Sequence, residues 1–208
     1  MVIPEICEKY GIGATKVMHK ELIGLKREVI RFVIISVLPE PVCSEIRALS
    51  EELCNMSGSK TALSYPPHIT IRTGALVPFQ KVDGYIEGFK SHVYGFVSKK
   101  IEKDLLKTDR LVFTEYHDKG ERKNMIAYFM RKSPWLKVLN KTLDQYRDFK
   151  KTPKKEFIPH ISLAYDDLDD KKLSELKRYI GSKMDKFGKR FSFYLPKVSL
   201  YYKSDEGI

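Results

Sequence analysis

Two short stretches of this chain are nearly the same, and their repetition constrains the fold more than any other feature. Residues Tyr65–Ile71 read YPPHITI, and residues Phe157–Leu163 read FIPHISL. Both run aromatic, any residue, Pro, His, Ile, Thr or Ser, aliphatic, at an offset of 92 residues (His68 to His160). Apolar and polar residues alternate after each Pro, the period of a half-buried strand. On a regular strand His68, Thr70 and Arg72 share one face, with Ile69 and Ile71 on the other. In the second copy His160, Ser162 and Ala164 share a face, opposite Ile161, Leu163 and Tyr165. On that geometry Tyr165 reads as core.

A lone His-x-Ser/Thr means little. Five histidines and 23 Ser or Thr in 208 residues give about half such a tripeptide by chance. The surroundings repeat as well, and that changes the weight of the motif. At the same offset the apolar strand Arg31–Leu38 falls on the strand around Met125–Met130, with Ile34 on Ile126. The helix marked by Ile46, Leu49, Leu53 and Met56, ending near Gly58, falls on a second helix around Val138. Each half is therefore strand, helix, His-bearing strand. Two related lobes set the two His strands side by side about a pseudo-two-fold axis.

The remaining elements follow from local signals. Met18, Leu22, Leu25 and Val29 mark one face of a helix in an N-terminal extension over residues 1–30. Pro78–Val97 has helical spacing at Ile86, Phe89, Val93 and Phe96, but Gly84, Gly88 and Gly95 oppose it; the reading is a short helix followed by a strand. Asp109–His117 and Met125–Arg131 form a hairpin across DKGERKN. Ser133-Pro134 starts a helix whose buried face is Leu136, Leu139, Leu143 and Tyr146. Phe157–Tyr165 is the second His strand, and an Asp-rich start precedes a helix marked by Leu173, Leu176, Ile180 and Met184. Phe191–Tyr202 closes the chain as a strand with Pro196 at an edge or bulge. The elements divide into two pseudo-symmetric lobes, about residues 31–120 and 121–208, with the polar faces of the two His strands lining one groove. The lobes are not independent, and strands can be exchanged between them.

Composition narrows the partners. Hydrophobic residues at 42% and charged residues at 31% suit a globular chain. No run reaches the length of a membrane span, and the opening MVIPEICEKY has no basic n-region followed by an apolar h-region. Cys7, Cys43 and Cys54 are odd in number and lack metal-ligand spacing, which suits reduced and partly buried thiols in a cytoplasmic protein; a monomer with no membrane partner is the expectation. A net charge of +11 favours polyanionic ligands, with KKTPKK at Lys150–Lys155 either a solvated loop or a rim that steers phosphate.

Two imidazoles and two hydroxyls in one groove suit a phosphodiester. One neutral His can take a proton from an attacking water while its protonated partner supplies one to the leaving oxygen. Thr70 and Ser162 can donate to the non-bridging oxygens. Near-symmetry leaves the base and acid roles open; His160 is taken first as base and His68 as acid. Neither motif contains Asp or Glu, and His-Glu-x-x-His is absent, so no metal and no other cofactor is expected. Arg72 is a candidate phosphate contact. Tyr201 and Tyr202 alternate faces, so one can stack on a base, and Tyr202 is the candidate carried forward. His19, His92 and His117 have no partner motif and read as surface or packed residues, and Trp135 as a packing residue.

PHITI and PHISL resemble the paired His-x-Ser/Thr-hydrophobic signature of the 2H phosphoesterase superfamily, over about Arg31–Lys203. SLYYKS (Ser199–Ser204) is similar to the strand that often ends the second lobe of that family. The resemblance implies an α+β fold, two lobes each with an antiparallel sheet and helices outside, enclosing a central groove, and catalytic roles for His68, Thr70, His160 and Ser162. It also implies an RNA or nucleotide substrate, above all a 2′,3′-cyclic phosphate. Cleavage of 2′-5′-oligoadenylate, 2′-5′ RNA ligation and non-catalytic binding of RNA or a nucleotide are the alternatives. Residues 1–28 lie outside the family pattern.

Overall fold

The computed structural model describes residues 29–97, 105–118, 120–143, 157–195 and 198–203. Elements run in the order β1 (Val29–Val37), α1 (Val42–Ser57), β2 (His68–Pro78), α2 (Val82–Val97), β3 (Leu105–Asp118) and β4 (Glu121–Met130). Then come α3 (Pro134–Thr142), β5 (His160–Tyr165), α4 (Asp170–Gly181), α5 (Met184–Phe187), β6 (Ser192–Tyr194) and β7 (Ser199–Lys203). The class is α+β, as the sequence indicates.

The strands of both halves lie in one seven-stranded antiparallel sheet, ordered β6-β3-β4-β5-β2-β1-β7. The first half's third strand, β3, pairs with β4 of the second half. In return β7 pairs with β1. The order β3-β4-β5 is thus mirrored by β7-β1-β2, with the two His strands innermost. Between those two strands the ladder is sparse, with the single registered pair Ile69 and Ile161.

One face of the sheet carries the core. Phe32, Ile34, Ile69, Ile71, Ile126, Tyr128, Ile161 and Leu163 pack in one cluster with apolar residues of all five helices. Burying each of the larger side chains contributes roughly 1.5–3 kcal/mol before the entropy of ordering is subtracted. Helix starts are set as the sequence indicates. Ser133 Oγ accepts from the Leu136 amide at 3.1 Å with Pro134 following, and Asp169 Oδ1 accepts from the Lys172 amide at 2.7 Å. Helix α1 stops at Gly58, whose φ of 68° is the left-handed conformation glycine adopts without strain.

Several boundaries differ from expectation. Val29 and Ile30 begin β1 instead of ending a helical extension; the rest of that extension lies outside the described residues. Helix α2 is one continuous helix of 16 residues, not a short helix and a strand. Val82, Ile86 and Phe89 bury one helical stripe, and that burial outweighs about 1 kcal/mol per interior glycine. The hairpin turns tightly, since Asp118 pairs with Glu121 and Gly120 takes φ 87°. The closing strand is two strands on opposite edges of the sheet, β6 and β7, with Pro196 outside the described residues. Met184 is exposed and starts the separate short helix α5 instead of extending the α4 stripe, and Met56 is likewise exposed. Tyr146 lies outside the described residues, while Trp135 packs in the core.

Candidate active site

The second face of the sheet carries the polar residues of both motifs. The antiparallel pairing of Ile69 with Ile161 puts Thr70 beside His160 and His68 beside Ser162. On the outer sides Val37 pairs with His68 and Ile35 with Thr70. The other half repeats this, with Phe129 against His160 and Ala127 against Ser162. Ile35 and Ala127 are buried yet do not belong to the main core cluster, and as cross-strand partners they flank Thr70 and Ser162 with apolar surface.

Each imidazole is held in the same way. His68 Nδ1 lies 2.8 Å from the carbonyl oxygen of Pro66, and His160 Nδ1 lies 2.9 Å from that of Ile158. A carbonyl oxygen only accepts, so Nδ1 carries the proton in both rings. Nε2 is then left as the working nitrogen, a base when the ring is neutral and an acid when it is charged. The turn two residues before each His therefore fixes the tautomer, and this explains the repeated Pro ahead of it: Pro67 and Pro159 confine the chain where the carbonyl must point back.

The environments differ. Tyr65 meets His68 edge-on, with ring centroids 6.0 Å apart, while Phe129 leans on His160 at 6.1 Å. Burial holds His68 below the ordinary imidazole pKa, and the nearby His160 charge pushes the same way; the Pro66 carbonyl opposes them in part. Ser162 Oγ donates to Met125 Sδ at 3.5 Å, a weak bond that a phosphate oxygen can displace.

A β-bulge follows each motif. Between the pairs Ile35–Thr70 and Ile34–Arg72 the second strand has one extra residue, Ile71. Between Ala127–Ser162 and Ile126–Ala164 the extra residue is Leu163, the equivalent position 92 residues on. An extra residue reverses the alternation of faces beyond it. Arg72 accordingly does not share the face of His68. It lies opposite Ile34 on the helix-covered side, where its Nη1 donates to Asn140 Oδ1 of α3 at 3.2 Å, and Asn140 Nδ2 in turn donates to the Ile71 carbonyl at 2.6 Å. Tyr165 moves the other way, from the expected core side to the face of His160 and Ser162.

Tyr165 is half-buried, its hydroxyl pushed well above the usual phenol pKa by burial and further by the nearby Tyr65, Asp166 and Asp167. Beside it Asp166 takes φ 75° and receives the Tyr116 hydroxyl at 3.0 Å and Lys123 Nζ at 2.7 Å. Tyr116, Lys123 and Asp166 carry no signal in the sequence, and Tyr165 escapes sequence reasoning because a bulge is a property of pairing. The one available signal is the mismatch of Tyr65 with Phe157 in the repeat. Tyr202 pairs with Phe32 and Tyr201 with Val33, and both side chains lie outside the described residues, as does Lys150–Lys155. His117 is exposed on β3. Among the described residues no group of three or more His, Cys, Asp or Glu comes together to hold a metal ion. Nor is any described helix long and apolar enough to cross a membrane.

No family model and no curated protein matches the chain. Solved structures do. The structure of Kluyveromyces marxianus Usb1 with uridine monophosphate is 10% identical, with a TM-score of 0.45, over 83% of this chain and 96% of that one. A second structure of Kluyveromyces marxianus Usb1 gives the same identity and TM-score over 84% and 97%.

Proposed function

We propose that the chain is a phosphodiesterase acting on a ribose-linked phosphate, above all a 2′,3′-cyclic phosphate at an RNA or nucleotide end, by two-histidine acid–base catalysis. What carries this reading is the pair of imidazoles on adjacent strands, each with Nδ1 tied to the carbonyl two residues back and Nε2 left for proton transfer. Binding alone has no use for two such matched rings, each neighboured by a hydroxyl.

In this mechanism the neutral Nε2 of His68 takes a proton from water as the water oxygen bonds to phosphorus. The bond from phosphorus to one ribose oxygen breaks, and protonated His160 delivers its Nε2 proton to that oxygen. The product is a nucleoside monophosphate with one free ribose hydroxyl, and proton exchange with solvent restores both rings. Thr70 and Ser162 donate to the non-bridging oxygens, whose charge grows in the transition state. His68 is assigned the base because its lowered pKa favours the neutral ring. This reverses the order first taken from the sequence.

A panel of 2′,3′-cyclic nucleotides, RNA with a 2′,3′-cyclic end, 2′-5′ oligoadenylates and ordinary 3′-5′ oligonucleotides tests the proposal, with products identified by phosphorus NMR. Turnover of cyclic phosphates in the presence of EDTA is the expected result. Consumption of 2′-5′ oligoadenylate alone would move the substrate, and consumption of nothing would leave the binding reading.

A further inference from the structure

The two motifs are nearly symmetric, whereas a nucleoside cyclic phosphate is not. Its phosphate joins two different ribose oxygens, and the base lies to one side. A groove built only from His68, Thr70, His160 and Ser162 would accept it in either direction. The strands do contain an asymmetry next to the working rings. At the 92-residue offset Tyr65 is replaced by Phe157, and Tyr165 corresponds to Thr73. Both phenols therefore belong to one side of the groove.

We propose that Tyr65 and Tyr165 form a phenol pair at the His68 end of the groove that binds the nucleoside side of the substrate and fixes which ribose oxygen leaves. The proposal rests on the phosphodiesterase reading. Tyr65 and the His68 ring lie in a T-shaped contact, and Tyr165 is turned to the motif face by the bulge at Leu163. The two phenols lie close enough for Tyr65 to act electrostatically on Tyr165. Neither hydroxyl has a hydrogen-bond partner among the described residues, so both are free to donate. Burial raises both phenols above their ordinary pKa, which keeps them protonated donors at neutral pH.

The segment that presents Tyr65 is fixed from both ends. Arg47 Nη1 donates to the carbonyls of Leu63 and Tyr65, each at 3.0 Å. Asp167, two residues beyond Tyr165, accepts the Lys60 amide at 2.7 Å and also the Ser59 hydroxyl. The clamp joins the Tyr65 segment directly to the end of β5, so the two phenols are held in one arrangement before any ligand arrives. Preorganised donors discriminate because a ligand in the wrong orientation leaves them unpaired.

The test is calorimetric binding of a nucleoside 2′-monophosphate and of its 3′-isomer to the wild type and to Tyr65→Phe, Tyr165→Phe and the double variant. The wild type is expected to prefer one isomer by at least about fivefold, each single variant to lose part of the preference, and the double variant nearly all of it. Product regiochemistry from the cyclic nucleotide should turn from one monophosphate to a mixture in the double variant. A wild type that binds neither isomer or both equally, or a correctly folded double variant that keeps the preference, overturns the proposal. A wild type that discriminates between the isomers but turns over no cyclic phosphate would instead contradict the phosphodiesterase reading alone.

Discussion

His68 is the residue at which environment and chemistry are most tightly linked. Its folded pKa is lowered by burial and by His160, so the unfolded chain binds the proton more readily near pH 6. Its contribution to stability is therefore complete above about pH 6.5 and is lost as pH falls from there through the folded pKa. The same shift puts the acid limb of kcat/KM below pH 6.5. In a proton NMR titration His160→Gln should raise the His68 midpoint, because a charged neighbour has gone; an unchanged midpoint would mean that burial alone sets it. Arg72 shows how far a single residue can stray from its sequence pattern. Counting alternate positions puts it beside His68, and one extra residue in the strand takes it to Asn140.

At the scale of elements, the legible parts were those governed by local chemistry. The start of α3 was readable because Ser133 and Pro134 act on the four residues around them, and the α1 stop because Gly58 alone adopts its backbone conformation cheaply. Ser133→Ala should lower stability by about 1 kcal/mol in denaturant unfolding, through loss of the bond to the Leu136 amide. Helix α2 was misread because its glycines argue locally against a helix that tertiary burial of Ile86 and Phe89 maintains. Gly84 is exposed, and a Cβ added there meets nothing within 4 Å. Gly84→Ala should thus raise stability by about 0.5 kcal/mol; a loss would show that α2 needs a conformation alanine resists. The paired bulges were illegible for a different reason. Nothing in PHITI or PHISL announces them, since they appear only when each strand meets its neighbour.

At the scale of the whole molecule the sequence repeat becomes an exchange of strands. Each half gives its last strand to the other, through β3 on β4 and β7 on β1. A half expressed alone would lack the strand that covers an edge of its own sheet. Separate fragments ending at Asp118 and starting at Glu121 should each fail to give a cooperative unfolding transition and should regain one when mixed. A cooperative transition in either fragment alone would show that the exchange contributes little.

All three scales meet in the claim that His68 and His160 form one proton-transfer pair. Single-turnover reaction of the chain with a nucleoside 2′,3′-cyclic phosphate, in EDTA, tests it most directly when run beside His68→Gln, His160→Gln and the double variant. Each single variant should lose at least about a hundredfold in rate, the scale of general acid or base catalysis, and the double variant little more than either. Turnover retained by the folded double variant would contradict the account.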